Sequence, residues 1–466
     1  MMKNELNWLL AIVFCAGVFT ACTSEDDNAV RPATPVVEVD INETNFPDEN
    51  FRRFLLEQDY GKDGMLTSAE IASITVMDIA KKDIESLKGI EFFTALDTLD
   101  CFDNYLDVLD VSKNVALREL ICAANVLTAL DVSKNKKLEM LYCGFNHLTS
   151  LDVSKNTALI ELACHFNELT SLDVSQNTAL TNLYCNTNHL ERLDVSQNTA
   201  LTDLYCSSNE LTALDVSKNT ALTLLDCDDN KLTSLDVSKI SALTELSCDG
   251  NELTTLDVSK NTALTDLSCN ENELTALDVS KNSALTELSC GINKLTALDV
   301  SKNSALIDLL CDGNELTTLD VSKNSALTDL SCSSNELTTL DVSKNSALTK
   351  LYCSGNELTT LDVSKNSALT NLYCAGNKLT ELVIPSNSPL STLFLSRNKI
   401  SGKNMDDLIS SLPQNTSSER HMFAVIDNLD GDEENVFTKS QSDAVKAKGW
   451  LPVYWDEKDK GWKELD

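Results

Sequence analysis

From about residue 98 to residue 398 the chain repeats every 21 residues. The unit reads L-x-x-L-x-C-x-x-N-x-L-x-x-L-D-V-S-x-N-x-A, and its cysteine recurs fourteen times from Cys101 to Cys374. A strict period of this length marks a repeat architecture and overrides local propensity. Each unit holds two similar halves, as in LTTLDVSKNSA (316–326) and LTDLSCSSNE (327–336). In an extended L-x-C segment alternate side chains point to opposite faces, so Leu330 and Cys332 point inward while Asp329, Ser331 and Ser333 point outward. One unit cannot bury its apolar face alone. A stack of units can, with parallel strands about 4.8 Å apart. The expected fold is a right-handed parallel β-stack, a repeat solenoid with short strands. The asparagine closing each half is expected to turn inward and satisfy backbone groups at the corner. One set runs from Asn104 to Asn398; a second runs from Asn114 to Asn387, broken once by Ile240.

This pattern resembles the leucine-rich repeat. The alternation of 10 and 11 residues with a cysteine resembles the bacterial IRREKO class and the 21-residue repeats of internalin-like surface proteins. The resemblance covers about two-thirds of the chain. It implies a solenoid that binds a macromolecule, most readily a protein, in adhesion or cell interaction.

Three roles compete for the cysteines. Disulfides suit an exported protein with an even count, but in-register parallel strands hold neighbouring Cβ vectors parallel, so bridging distorts the ladder. A straight row of thiolates cannot surround a tetrahedral metal ion. Packing as a small hydrophobe suits the thin core of a short coil, and Leu395 takes the position in the last coil. Free, buried thiols are the expectation.

Because scaffold positions barely vary between copies, recognition is expected where the copies differ. The outward residue before each cysteine changes most. Tyr142, Tyr184 and Tyr205 give an aromatic patch early; Asp226, Glu245 and Asp266 belong to an acidic and serine-rich middle; Tyr352, Tyr373 and Phe394 give a late aromatic patch. These nine residues form the expected partner-binding face. Tyrosines can also stack on sugar rings, so a glycan-binding accessory role and a purely structural spacer stand as alternatives. In the opposite half Asp110 recurs to Asp362 with lysines three residues on, which reads as a solvated back face. His147, His165 and His189 sit at unequal offsets and read as surface decoration.

The ends depart from the repeat. Residues 1–21 read as a signal peptide whose apolar run, 8–19, is too short to span a bilayer. FTAC (19–22) resembles a lipobox, which implies lipidation of Cys22; SEDD (24–27) resembles the export tag of Bacteroidetes surface lipoproteins, which implies an outer-membrane, cell-surface location. A tether follows at 22–41. Residues 42–97 read as a helical N-terminal cap that includes a first atypical repeat, and 399–466 as an α/β C-terminal cap. DYGKDGMLTSAE (59–70) matches an EF-hand loop, with Asp59, Asp63, Met65, Thr67 and Glu70 at calcium-ligand positions and Gly61 where a ligand is usual. Calcium in this cap is the one expected cofactor.

The formal net charge of −35 repels phosphate backbones and excludes a nucleic-acid partner. No nucleophile motif, phosphate loop or zinc spacing occurs, and the carboxylates form a lattice rather than an isolated pair. A non-enzymatic binding protein is the expectation.

Overall fold

The computed structural model describes residues 38–385, 388–415, 421–426, 433–456 and 461–465. Cys22, the leader, most of the tether and Asn387 lie outside the described residues. Residues from Val39 onward form one compact unit.

The repeat folds as a parallel β-solenoid. Fifteen three-residue strands, from Thr98–Asp100 to Thr392–Phe394, recur every 21 residues. Neighbours pair in parallel and in register, so that Leu225 faces Leu246 and Leu246 faces Leu267. The sheet starts at Val76–Asp78. It continues past the repeat through His421–Ala424 and Trp450–Asp456, and ends on the antiparallel strand Gly461–Glu464.

The two halves of the unit, so alike in sequence, fold differently. Only the cysteine half supplies the continuous sheet. Among the described residues of the valine half, strands occur only at Thr360–Asp362 and Glu381–Val383. That pair forms where Val383 stands in place of the recurring aspartate of the Asp-Val-Ser triplet. Asp110 Oδ1 accepts from the Ser112 amide at 2.9 Å, and every such aspartate through Asp362 repeats the bond. The same Asx turn recurs in every coil whose valine half stays unpaired, and Asp362 keeps it at the end of its strand. The uniform back stripe is therefore a row of turn-forming side chains as well as a solvated face. Hydrogen bonds from the serines hold the carboxyls from Asp110 to Asp341 below the usual carboxylate range.

Each coil contributes the same apolar set, for example Leu243, Leu246, Cys248, Leu253, Leu256 and Val258, all buried. The asparagines tie the coils together at the corners. In the cysteine half Asn251 Oδ1 accepts from the Leu232 amide at 3.0 Å. Its Nδ2 lies 3.0 Å from the Cys227 carbonyl, 3.1 Å from that of Cys248 and 3.0 Å from that of Asp249. In the valine half Asn282 Nδ2 donates to the carbonyls of Val258 and Asn261, while its Oδ1 is buried without a partner. The break at Ile240 falls in this less demanding set. Ile240 is fully buried, and its carbonyl still receives Asn261 Nδ2 at 2.7 Å.

At the N-terminal end, helix α1 (Glu49–Glu57) buries Phe51 and Leu55 in the shared core. Its N-cap Asp48 also reaches the first coil, where Oδ2 accepts from the Glu85 and Ser86 amides. Helix α2 (Ser68–Ser73) starts from a capping box between Thr67 and Glu70. At the other end α3 (Gly402–Ser411) buries Met405, Leu408 and Ile409, and α4 (Lys439–Ala447) buries Val445. Trp450 is buried, and its indole donates to the Pro413 carbonyl at 2.8 Å. The asparagine ladder gains a final rung from outside the repeat. Asn435 accepts from the Ile400 amide and donates to the carbonyls of Leu395 and Val425.

The two asparagine sets should differ in energetic weight. Asn251→Ala strips a buried amide and several carbonyls of partners and should cost about 2–3 kcal/mol. Asn282→Ala removes two donor bonds but also an unpartnered buried oxygen, and should cost about 1 kcal/mol. Urea denaturation of the two variants checks the order; equal midpoints would contradict it.

Candidate binding face

On each strand the central leucine points into the core while its two neighbours stand on the open sheet face. In-register stacking brings equivalent positions of successive coils to about 4.8 Å, close to the separation of stacked aromatic rings. Tyr184 and Tyr205 pair in register and stack at 5.0 Å, 18° apart. Tyr352 and Tyr373 stack at 4.8 Å. Phe394 meets Tyr373 edge-on at 4.7 Å and lies 4.6 Å from Trp462 of the last strand. The late patch thus runs from the repeat into the C-terminal segment. All five repeat aromatics are half-buried, and Trp462 is 43% exposed.

Tyr142 corrects the expectation of an outward anchor. It is only 7% exposed, its hydroxyl bonds the Glu161 carboxylate, and burial pushes its pKa up. A second correction concerns His165. Its ring lies 5.2 Å from Phe145 and 5.9 Å from Phe166, and burial lowers its pKa to about 4. A side chain at Gly144 would collide with that imidazole. Phe145 and Phe166 stack at 4.4 Å. The sequence reading missed this pair, although its 21-residue spacing was the available signal. His147 does sit at the surface, 3.3 Å from Glu168.

In the middle of the face Asp226 and Asp266 are half-buried, whereas Glu245 is exposed. Beside them stands a relay missing from the expected set. Ser207 donates to Asp226, Ser247 to Asp228, and Ser268 to Asp249, at 2.8–2.9 Å. The Asp249 amide donates to Asp228 at 2.6 Å, and the Asn270 amide to Asp249 at 2.6 Å. Asp312 repeats the motif with Ser331 and the Ser333 amide. The legible signal was an aspartate after cysteine followed 19 residues later by serine. Burial, then the charge of Asp226, raises Asp228 to about 7, with Asp249 adding to the effect. Burial likewise raises Asp226.

The fourteen cysteines are free and buried. Burial pushes Cys164 and Cys290 up to about 12, so these thiols stay protonated at neutral pH and are neither nucleophiles nor thiolate ligands. Some donate to the next coil, as Cys311 Sγ does to the Ser331 carbonyl at 3.3 Å.

In the loop 59–70 the expected calcium ligands are engaged elsewhere. Asp59 pairs with Lys62 at 2.5 Å, Asp63 accepts from the Met65 amide, and Glu70 bonds both Thr67 groups. Among the described residues no three His, Cys, Asp or Glu side chains converge on a metal position. No described helix is long and apolar enough to cross a membrane.

No family model matches this chain, and no curated protein does. Solved structures do. The chain is 36% identical to the functional domain of InlJ from Listeria monocytogenes, which includes a cysteine ladder; the match covers 84% of each chain with a TM-score of 0.74. The internalin InlF of L. monocytogenes matches at 23% identity, over 67% of this chain and 96% of that one, with a TM-score of 0.62. A leucine-rich repeat protein of Leptospira interrogans matches at 23% identity, over 82% and 95%, with a TM-score of 0.65. The latter two speak for the fold alone.

A raised folded-state pKa means stability that is present at low pH and lost as pH rises through that value. Asp228, faced by Asp226 and Asp249, should therefore destabilise the array as pH rises from about 4 to above 7. Asp228→Asn should raise the melting temperature at pH 8 clearly more than at pH 5. Thermal denaturation at both pH values decides.

Proposed function

We propose that this chain, which belongs to the internalin-like leucine-rich repeat family, is a non-catalytic surface scaffold that recognises a protein partner on its open sheet face. The observation that carries the reading is the pair of stacked aromatic groups, Tyr184–Tyr205 and Tyr352–Tyr373–Phe394–Trp462, held on a rigid in-register sheet. Half-buried aromatics of this kind are the usual anchors of protein interfaces. A protein partner is favoured over a glycan because sugars stack on open ring faces. Here neighbouring tyrosines cover one face of each other.

Purified chain should capture a protein partner with an affinity that falls more than about tenfold in Tyr184→Ala/Tyr205→Ala or in Tyr352→Ala/Tyr373→Ala, as expected for interface anchors. A glycan array should stay blank. Glycan binding lost in the same variants would replace this reading with the carbohydrate one; no captured ligand of either kind would leave the spacer.

Lipid anchoring at the cell surface is part of the proposal and rests on FTAC at 19–22 and the acidic segment after it. Cells fed a labelled fatty acid should label the parent protein and not Cys22→Ala. An unlabelled parent removes the anchor and leaves the binding face untouched.

A further inference from the structure

We propose that the occupant of the sheet face is a lysine- or arginine-rich polypeptide segment laid along the acidic strip between the two aromatic groups. This deepens the protein-binding reading and rests on it. The strip spans seven coils, with strands beginning at Asp203 through Asp329. Five consecutive coils start their strand with a carboxylate: Glu245, Asp266, Glu287, Asp308 and Asp329. At about 4.8 Å per coil these five span about 19 Å, the reach of about six extended residues. The Asp226–Asp228–Asp249 relay adds further negative charge on the same face.

The absence of compensation is specific to this face. In these seven coils no Lys, Arg or His occupies the three positions on the face, three before, one before and one after the cysteine, which hold acids and serines together with Tyr205, Leu224, Asn270, Gly291 and Leu310. The first cation is Lys350, which closes the strip by bonding Asp329 at 3.3 Å. One column away, at the residue after each inward asparagine, the same fold does pair its charges. Lys231 meets Glu210 at 3.0 Å, and Lys294 meets Glu273. The overall acidity alone therefore does not explain the row: cations were available in the next column and are missing from this one. Crowding has its expected consequence, since burial and neighbouring carboxylates raise both Asp266 and Glu287.

Other occupants fit less well. A divalent cation needs converging ligands, and these carboxylates lie in a row with no three around one point among the described residues. A second copy of a chain with net charge −35 is repelled. A cationic polypeptide meets the charge along its length. Its methylene stems can cover Leu310, which is 39% exposed in the middle of the strip. Its charged heads can also sit over the flanking tyrosines.

The test titrates the full chain with a synthetic lysine-rich peptide at low salt, beside a polyglutamate and an uncharged control. Two variants with equal charge change separate a site from diffuse attraction. Glu287→Gln/Asp308→Asn alters the face; Glu252→Gln/Glu315→Gln alters exposed residues of the neighbouring column. The face variant should weaken peptide binding by about two- to thirtyfold, the range of two exposed ion pairs, and the column variant should leave it nearly unchanged. Equal weakening in both, or no binding of the lysine-rich peptide by the parent, overturns the proposal. Tyrosine-dependent capture of a protein that persists in the face variant would also overturn it while leaving the protein-binding reading standing. Circular dichroism melts of both variants confirm that each is folded.

Discussion

The structure depends on one repeated bond set, the asparagine side chain that reaches from each coil to the one before it. A 21-residue coil has corners where no sheet ladder extends, and buried backbone groups there would otherwise go unpaired. Asn251 serves four of them, including the Leu232 amide and Cys227 carbonyl of the preceding coil. Because two of these four bonds cross a coil boundary while the other two hold the amide to its own coil, register and coil length are locked together. A longer or shorter coil would move the amide away from its carbonyls. The leucines and the small cysteine then fill a core whose size is already set.

That same register produces the surface chemistry. Residues 21 apart become neighbours at the spacing of one strand, so whatever the sequence repeats it also concentrates. Tyrosines repeated in successive coils become stacked rings. Carboxylates repeated in successive coils become a charged row, in which burial and neighbouring carboxylates raise Asp266 and Glu287. Where the repeat alternates sign, as at Glu210 and Lys231, the outcome is an ion pair. Small outward choices therefore have large local effects on a scaffold that hardly varies.

Some features escaped the repeat logic for clear physical reasons. The halves LTTLDVSKNSA and LTDLSCSSNE look equivalent, but Asp320 of the first accepts from the Ser322 amide and that half stays out of the continuous sheet. Tyr142 shares a column with Tyr184 yet is covered, because burial depends on what neighbouring coils place beside it. His165 looked like decoration and is sandwiched near two phenylalanines that only stacking brings together. Asn435 completes the ladder from 37 residues beyond Asn398, a spacing no period predicts.

The sequence by itself determined the solenoid, its parallel strands, the inward leucines, cysteines and asparagines, and the columns in which variation falls. These follow from periodicity, because a fixed period leaves the apolar face only one way to be buried. Tertiary structure alone decided which of those outward residues stay accessible, which carboxylates crowd, and how Trp462 and Asn435 finish the array. For Trp462 and Asn435 the contacts are between residues that no interval in the chain relates; for the outward residues the outcome depends on what each neighbouring coil places beside them.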